Sequence, residues 1–261
     1  MRIALGVEYS GLHYAGFQRQ NELITVQGEL EKALSRIADE AVTLTCAGRT
    51  DAGVNATGQV VHIDVTKERS PRGWVLGTNT YLPDDIAITW AQPVDDVFHA
   101  RFSARARRYR YILQNTLNRN AILAGGVSVY RGDYDVTRMH RAAQVLLGEH
   151  DFSSFKGADD ESRSSNRCVH FIEVSRHGPF IVFDIAANAF LNHMVRNIVG
   201  SLLLIGEGRK DSAWLKEVLE AADRSQAGPM ARPDGLYLVD VTYPSDYRLP
   251  RREALGPLWL L

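Results

Sequence analysis

Along residues 2–9 apolar and polar positions alternate, with Ile3, Leu5, Val7 and Tyr9 on one side, the period of a half-buried strand. At Val26 the repeat changes. Val26, Leu30, Ala33, Leu34 and Ile37 share one face of a helix, and Thr25 stands where an N-cap belongs. Residues 41–46 form a short β-branched run, followed by a glycine-punctuated segment over 48–58. Alternation resumes over 59–65, with Val61, Ile63 and Val65 on one face. A helical stretch from Ser70 and a strand over 86–90 complete this first part.

The order then repeats. Residues 107–114 read as a strand with Tyr109, Tyr111 and Leu113 on one face. Asp135 caps a helix that turns Val136, Met139, Ala143 and Leu146 inward and stops at Gly148. Two strands, 169–175 and 180–186, flank His177-Gly178-Pro179 as a hairpin. Leu191, Met194, Val195, Ile198, Val199 and Leu202 keep the helical repeat without a miss, leaving Arg196 off the stripe with His193 and Gly200. A helix carrying Trp214, Leu215, Val218 and Leu219 and a strand over 236–241 follow. Residues 155–167 (FKGADDESRSSNR) read as polar throughout and as a mobile loop.

Each half thus runs strand, helix, strand, strand, helix, strand, the split βαβ order. The pattern predicts an α+β fold: two ferredoxin-like halves, residues 1–104 and 105–261, joined into a central, mostly antiparallel sheet. Helices would pack on that sheet, with a cleft between the halves.

Composition narrows the class. In 261 residues, 45% are hydrophobic and 23% charged, enough apolar material for a sizeable core. No apolar run is long enough to span a bilayer, which argues against a membrane protein. The start, MRIALGVEYS, turns polar too early for a signal peptide, which points to the cytoplasm. Cys46 and Cys168 are the only cysteines and form no C-x-x-C pair, so neither a disulfide framework nor a structural zinc is expected. The eight histidines show no metal-ligand spacing, and no metal is expected. Formal net charge is −1, yet residues 101–110 hold five arginines and no acid: Arg101, Arg105, Arg107, Arg108 and Arg110. A neutral protein can still offer one positive face to phosphates. By itself such a run is more often a solvated face balanced by acids elsewhere.

The candidate chemistry sits in Ala47-Gly48-Arg49-Thr50-Asp51-Ala52-Gly53-Val54, between two expected strands. Alone, Asp-x-Gly after a strand is a turn. Here Gly48 and Gly53 relax the backbone on both sides of a carboxylate and allow a ligand to come close. An ionised carboxylate so held can attack an electrophilic carbon or take a proton.

The run AGRTDAGV resembles the signature of the tRNA pseudouridine synthase A family. Residues 9–20 (YSGLHYAGFQRQ), 107–112 (RRYRYI), 149–155 (EHDFSSF), 188–200 (NAFLNHMVRNIVG), 235–244 (GLYLVDVTYP) and the terminal GPLWLL are similar to that family's segments in the same order. The resemblance covers essentially the whole chain. It implies an isomerase that breaks the uracil–ribose bond, turns the base and rejoins it through carbon 5, with no cofactor. Its substrate would be the anticodon stem-loop of tRNA, at uridines on the 3′ side, bound in the cleft by a homodimer. Asp51 matches the family's catalytic carboxylate, with the roles of nucleophile or base left open. Tyr109 matches the tyrosine that stacks on the target uracil, and Arg196 the arginine that pairs with the carboxylate. Arg49 matches an arginine that enters the RNA stack. Arg105, Arg107 and Arg108 are expected to contact RNA phosphates. Two positions depart from the family's habit: Asn55 stands where histidine is more frequent, and Phe17 where tryptophan is usual. A non-catalytic RNA-binding protein on the same fold is the competing reading. A nucleoside or glycoside hydrolase is a weaker one, since such chemistry wants paired carboxylates and only Asp51 stands out.

Overall fold

The structure is a computed structural model that describes residues 1–118, 120–160 and 162–250. The terminal GPLWLL run lies outside the described residues. The fold is α+β, with ten strands and five α-helices among the described residues, and the chain divides into two compact units. The first comprises Met1–Arg105 and the stretch beginning at Tyr237; the second is Ala106–Leu236.

In the first unit β1 (Arg2–Tyr9) lies between β4 (Ile86–Val94) and β3 (Asn55–Asp64), antiparallel to both. The far edge of β3 is shared. β2 (Leu44–Cys46) pairs antiparallel with Val61–Ile63, and β10 (Leu236–Thr242) runs parallel beside Asn55 and Ala56. The order β4-β1-β3-β2 is that of a split βαβ unit. Two helices pack on it. In α1 (Val26–Ala38) Thr25 caps the start by accepting from the Gly28 N–H at 3.2 Å, and Ser70 does the same at α2 (Pro71–Asn79) for Gly73 at 3.1 Å. Gly77 of α2 lets the two helices meet, since a Cβ there would sit 3.0 Å from Ile37 Cδ1.

Two expectations need correcting here. Along its middle β1 is buried on both faces, not one, because the face opposite Ile3, Leu5 and Val7 carries Ala4 and Gly6 there, with the half-buried Arg2 and Glu8 toward its ends. Trp90 covers it so closely that a Cβ on Gly6 would fall 2.0 Å from the indole nitrogen. β3 starts at Asn55 rather than 59. Gly58 looks like a loop residue in the sequence but is a strand residue whose missing side chain admits the Val239 carbonyl, 2.1 Å from where a Cβ would be.

In the second unit β5 (Ala106–Asn115), β9 (Phe180–Ala187), β8 (Asn166–His177) and β7 (Gly148–Asp151) lie side by side in that order, each antiparallel to the next. The short β6 (Ser128–Tyr130) runs parallel to the other edge of β5. Asp135 caps α3 (Val136–Ala143) by accepting from the Arg138 N–H at 2.9 Å, and Gly148, at φ 90°, turns the chain into β7. Gly178, at φ 56°, makes the β8–β9 turn. α4 (Met194–Gly206) and α5 (Trp214–Ala221) complete the unit. α4 is not amphipathic in place: twelve of its thirteen residues are buried, including Arg196, Asn197 and Ser201.

Candidate active site

The Asp51 loop joins β2 to β3 and is held at Ala47, Gly48, Thr50 and between Asp51 and Val54. Ala47 donates its N–H to the Val60 carbonyl at 2.8 Å. The amide of the fully buried Gln59 brackets Gly48, its Nε2 donating to the Gly48 carbonyl at 2.6 Å. Thr50 hydrogen-bonds Tyr9 Oη through Oγ1 at 2.7 Å, and its carbonyl accepts from the Phe17 N–H at 3.0 Å. The Val54 N–H returns to the Asp51 carbonyl at 3.1 Å, closing a turn in which Gly53 takes φ 77°. Asp51 itself is half-buried at the head of that turn, and Arg49 is exposed.

The segment after β1 clasps this loop from outside. Gly11 approaches so near that a Cβ would lie 2.1 Å from the Val54 carbonyl oxygen. Gly16, at φ 108°, brings Phe17 onto Thr50. Tyr14 anchors the segment by donating to Asp85 Oδ1 at 2.5 Å, and burial with that carboxylate beside it pushes the phenol well above its ordinary range. The two positions that depart from the family habit belong to this clasp. Asn55 is buried and accepts the Gly11 N–H through Oδ1 at 2.8 Å; Phe17 is fully buried, its ring 5.8 Å from that of Tyr9. Cys46 lies at the foot of the loop. Burial pushes its thiol up to about 11, against the opposing pull of Arg49 and Arg101.

In the second unit Tyr109 lies in β5, 8% exposed, with its ring edge-on to Phe190 at 5.1 Å. Arg196 sits in the first turn of α4 and is 7% exposed, not solvated. Its Nε donates to the Ala231 carbonyl at 2.9 Å, while the Ala231 N–H returns to the Arg196 carbonyl at 3.1 Å. The segment 228–231 that supplies this partner is seated by small residues. A Cβ on Gly200 would lie 1.7 Å from the Pro229 oxygen, and Ser201 Oγ accepts from the Gly228 N–H at 2.9 Å. Asn197 donates to the Phe155 carbonyl at 2.8 Å and accepts from Arg224 at 3.0 Å.

The stretch expected as a polar loop is tied to the same helix start. Phe155 is core, Asn166 and Arg167 already belong to β8, and Gly157 donates to the Asn192 carbonyl at 2.8 Å. Asp160 accepts from the Asn192 N–H. Burial works to raise its carboxyl, yet the hydrogen bonds from Ser162 and Asn192, with Lys156 nearby, hold it below the usual carboxylate range.

The arginine run divides by strand alternation. Arg107 shares the Tyr109 face of β5 and donates to the Asn188 carbonyl at 3.1 Å. Arg108 and Arg110 share the opposite face, where both grip Asp184, which pairs across from Arg110 on β9. Arg108 is bidentate, at 2.7 Å on each oxygen, and Arg110 Nε lies at 2.5 Å. Arg101 and Arg105 are exposed. Asp184 was invisible as a partner in the sequence, and so were Gln59, Thr50 and Tyr9, because a cross-strand contact leaves no spacing signal.

Among the described residues no cluster of three or more His, Cys, Asp or Glu side chains could hold a metal ion, and no helix is long and apolar enough to cross a membrane.

A family model described as tRNA pseudouridine synthase matches residues 6–103 and 142–244. Asp51 and Arg196 fall within those segments, and Tyr109 between them. The tRNA pseudouridine synthase A of Shewanella amazonensis is 59% identical over 260 residues, covering 100% of this chain and 99% of the relative. That of Aeromonas salmonicida is likewise 59% identical over 260 residues, covering 100% of this chain and 96% of the relative. The chain belongs to the tRNA pseudouridine synthase family.

Proposed function

We propose that this chain isomerises uridine to pseudouridine in the anticodon stem-loop of tRNA, with Asp51 as the essential carboxylate. The observation that carries the reading is the Asp51 loop itself: family membership over the full chain, together with a carboxylate whose backbone is fixed by Gln59, Thr50 and Phe17 while the side chain stays half-open. A rigid turn that presents one ionisable group suits a reaction in which positioning supplies much of the rate.

The reaction is an isomerisation, so atoms and electrons balance without a co-reactant. The N1–C1′ bond breaks, a C5–C1′ bond forms, and the proton on carbon 5 leaves to solvent as N1 gains one. Asp51 attacks the anomeric carbon, adds to carbon 6, or removes the 2′ proton; each requires an ionised carboxylate against the nucleoside. Arg196 pairs with that carboxylate. Tyr109 stacks on the uracil, worth roughly 1–3 kcal/mol, and so offsets part of the few kcal/mol that base eversion costs. Arg49 fills the space the base vacates. Arg105, Arg107 and Arg108 neutralise phosphates, Arg108 while also gripping Asp184 through two nitrogens. The working form is a homodimer in the cytoplasm, where its substrate is found.

Release of tritium from carbon 5 of labelled uridine in unmodified tRNA tests the reading. Wild type should release it and Asp51→Asn should not, with tRNA binding kept in both. Tight binding without release by wild type would make the chain an RNA-binding protein, and free uracil among the products would make it a hydrolase. Sedimentation of the free protein checks the dimer.

A further inference from the structure

We infer that Phe102 is a stacking platform for an unpaired base of the substrate RNA, built beside the Asp51 loop in the first unit; this rests on the reading of the chain as an RNA-modifying enzyme.

Phe102 is 76% exposed, on the turn that follows β4. A single exposed apolar side chain is ordinary. What sets Phe102 apart is that it is held. Its ring lies on the imidazole of His99, centroids 4.3 Å apart and planes 30° from parallel, and His99 in turn abuts the ring of His62 at 4.9 Å. His62 is buried, and its Nδ1 accepts the Ala100 N–H at 3.1 Å. The turn has almost no freedom. Arg2 donates to the carbonyls of Asp96 and Phe98 at 2.6 and 2.7 Å, Tyr243 donates to that of Ala100 at 2.6 Å, and Ser103 Oγ accepts from the His99 N–H at 2.9 Å. His99 Nδ1 accepts the N–H groups of Arg101 and Phe102 themselves, each at 3.2 Å. The result is a column of rings that begins in the core and ends in an open aromatic face.

An aromatic ring ordered in advance and left open to solvent offers a flat apolar face without an entropy cost on binding, which is what a splayed nucleobase requires. The charge around it suits RNA. Arg101 is exposed beside the ring, its guanidinium carbon 5.6 Å from the Phe102 centroid. Burial, Arg2 and Arg101 hold the His99 imidazole below its ordinary value, so the ring beneath the platform is neutral at pH 7. The position is also right. His62 pairs across the sheet with Thr45, just before the Asp51 loop, and Arg101 and Arg49 both act on the Cys46 thiol at its foot. A base flanking the everted uridine is the natural occupant.

The test uses the full-length protein with Phe102 replaced by Ala, Leu, Tyr or Trp, and an unmodified tRNA transcript at fixed salt. Stacking predicts that Ala and Leu weaken binding by about 5- to 150-fold. Tyr and Trp should hold within a few-fold, and the indole of Phe102→Trp should be quenched by tRNA above the background of the wild-type tryptophans. Four variants with wild-type affinity would overturn the platform. So would Leu matching wild type while Ala fails, since bulk without a π-face would then suffice. Unchanged melting temperatures separate lost contacts from lost folding. If wild type itself releases no tritium yet Phe102→Trp is still quenched, the catalytic reading fails and the platform stands.

Discussion

Replacing Gly200 by alanine sets two opposed effects against each other inside α4. Alanine favours a helix interior over glycine by about 1 kcal/mol, so the substitution should stabilise the protein if the site had room. It has none. The new Cβ would lie 1.7 Å from the Pro229 carbonyl oxygen, a backbone atom that cannot swing aside. Helix and strap must part by more than an ångström to reach a tolerable contact. Forced overpacking of this kind costs about 1–3 kcal/mol, so the clash wins and the net change is destabilising. For a chain of this length the melting temperature should fall by roughly 2–4 °C per kcal/mol. The larger effect is on turnover. The displaced strap carries the Ala231 carbonyl that accepts from Arg196 Nε; if Arg196 serves the reaction as proposed, its misplacement by about an ångström is worth about a hundredfold in rate. Gly200→Ala should therefore lose about a hundredfold in single-turnover pseudouridine formation, while tRNA affinity changes by no more than a few-fold. Ser201→Ala, which loosens the same strap by removing the acceptor of the Gly228 N–H, should give a smaller loss of the same kind. A Gly200→Ala enzyme with a lowered melting temperature and wild-type single-turnover rate would show that the strap does not set the Arg196 geometry.

Arg196→Lys keeps the charge but cannot reproduce the planar donor set that reaches Ala231, so single-turnover rates should fall at least tenfold with tRNA affinity kept. Asp184→Asn weakens the shared grip on Arg108 and Arg110, and urea unfolding should register a loss of stability that falls mainly on Arg110, whose side chain is 13% exposed, rather than on Arg108 at 35%. Cys46 should resist alkylation at pH 8, as followed by mass spectrometry of the modified peptides, because burial raises its thiol to about 11. Burial and Arg2 depress the His62 imidazole to about 4, so the unfolded chain binds the proton more readily than the folded one. The stability this lends is whole above about pH 6.5 and erodes as pH falls toward 4; His62→Asn, which retains an acceptor for Ala100, should flatten the stability profile in that window.

The fold was legible wherever one face of an element was apolar and the other was not. α1 and α3 begin at the caps their sequences announce, and β5 shows Tyr109, Tyr111 and Leu113 inward as its alternation requires. Legibility failed where small residues hide contact. Ala4 and Gly6 conceal the second buried face of β1, and Gly58 disguises strand as loop, because a glycine that admits a neighbouring backbone is indistinguishable in sequence from one that turns. α4 failed differently. Its apolar stripe is plain in the sequence, but Asn197 and Ser201 off the stripe are buried by partners from distant segments, Phe155, Arg224 and Gly228.

The same distinction governs the site. A motif marks a candidate for chemistry because such a residue has few substitutes; it does not mark the residues that hold it, because many combinations can. Asp51 could be picked out from its run of eight, whereas Gln59, Thr50, Tyr9 and Asn55, which fix the backbone on which it rides, were ordinary polar residues until their partners appeared. Asn55 shows the consequence. A departure from the family habit, it is buried and spends its side-chain oxygen on the Gly11 N–H, inside the clasp around the loop. With Asp51 in its proposed role, the effect of Asn55 on catalysis runs through the position of that carboxylate. Replacing Asn55 by leucine, which strands that N–H at a cost of about 1–3 kcal/mol, should lower the single-turnover rate more than it lowers tRNA affinity. Equal losses in both would place Asn55 at the RNA surface after all.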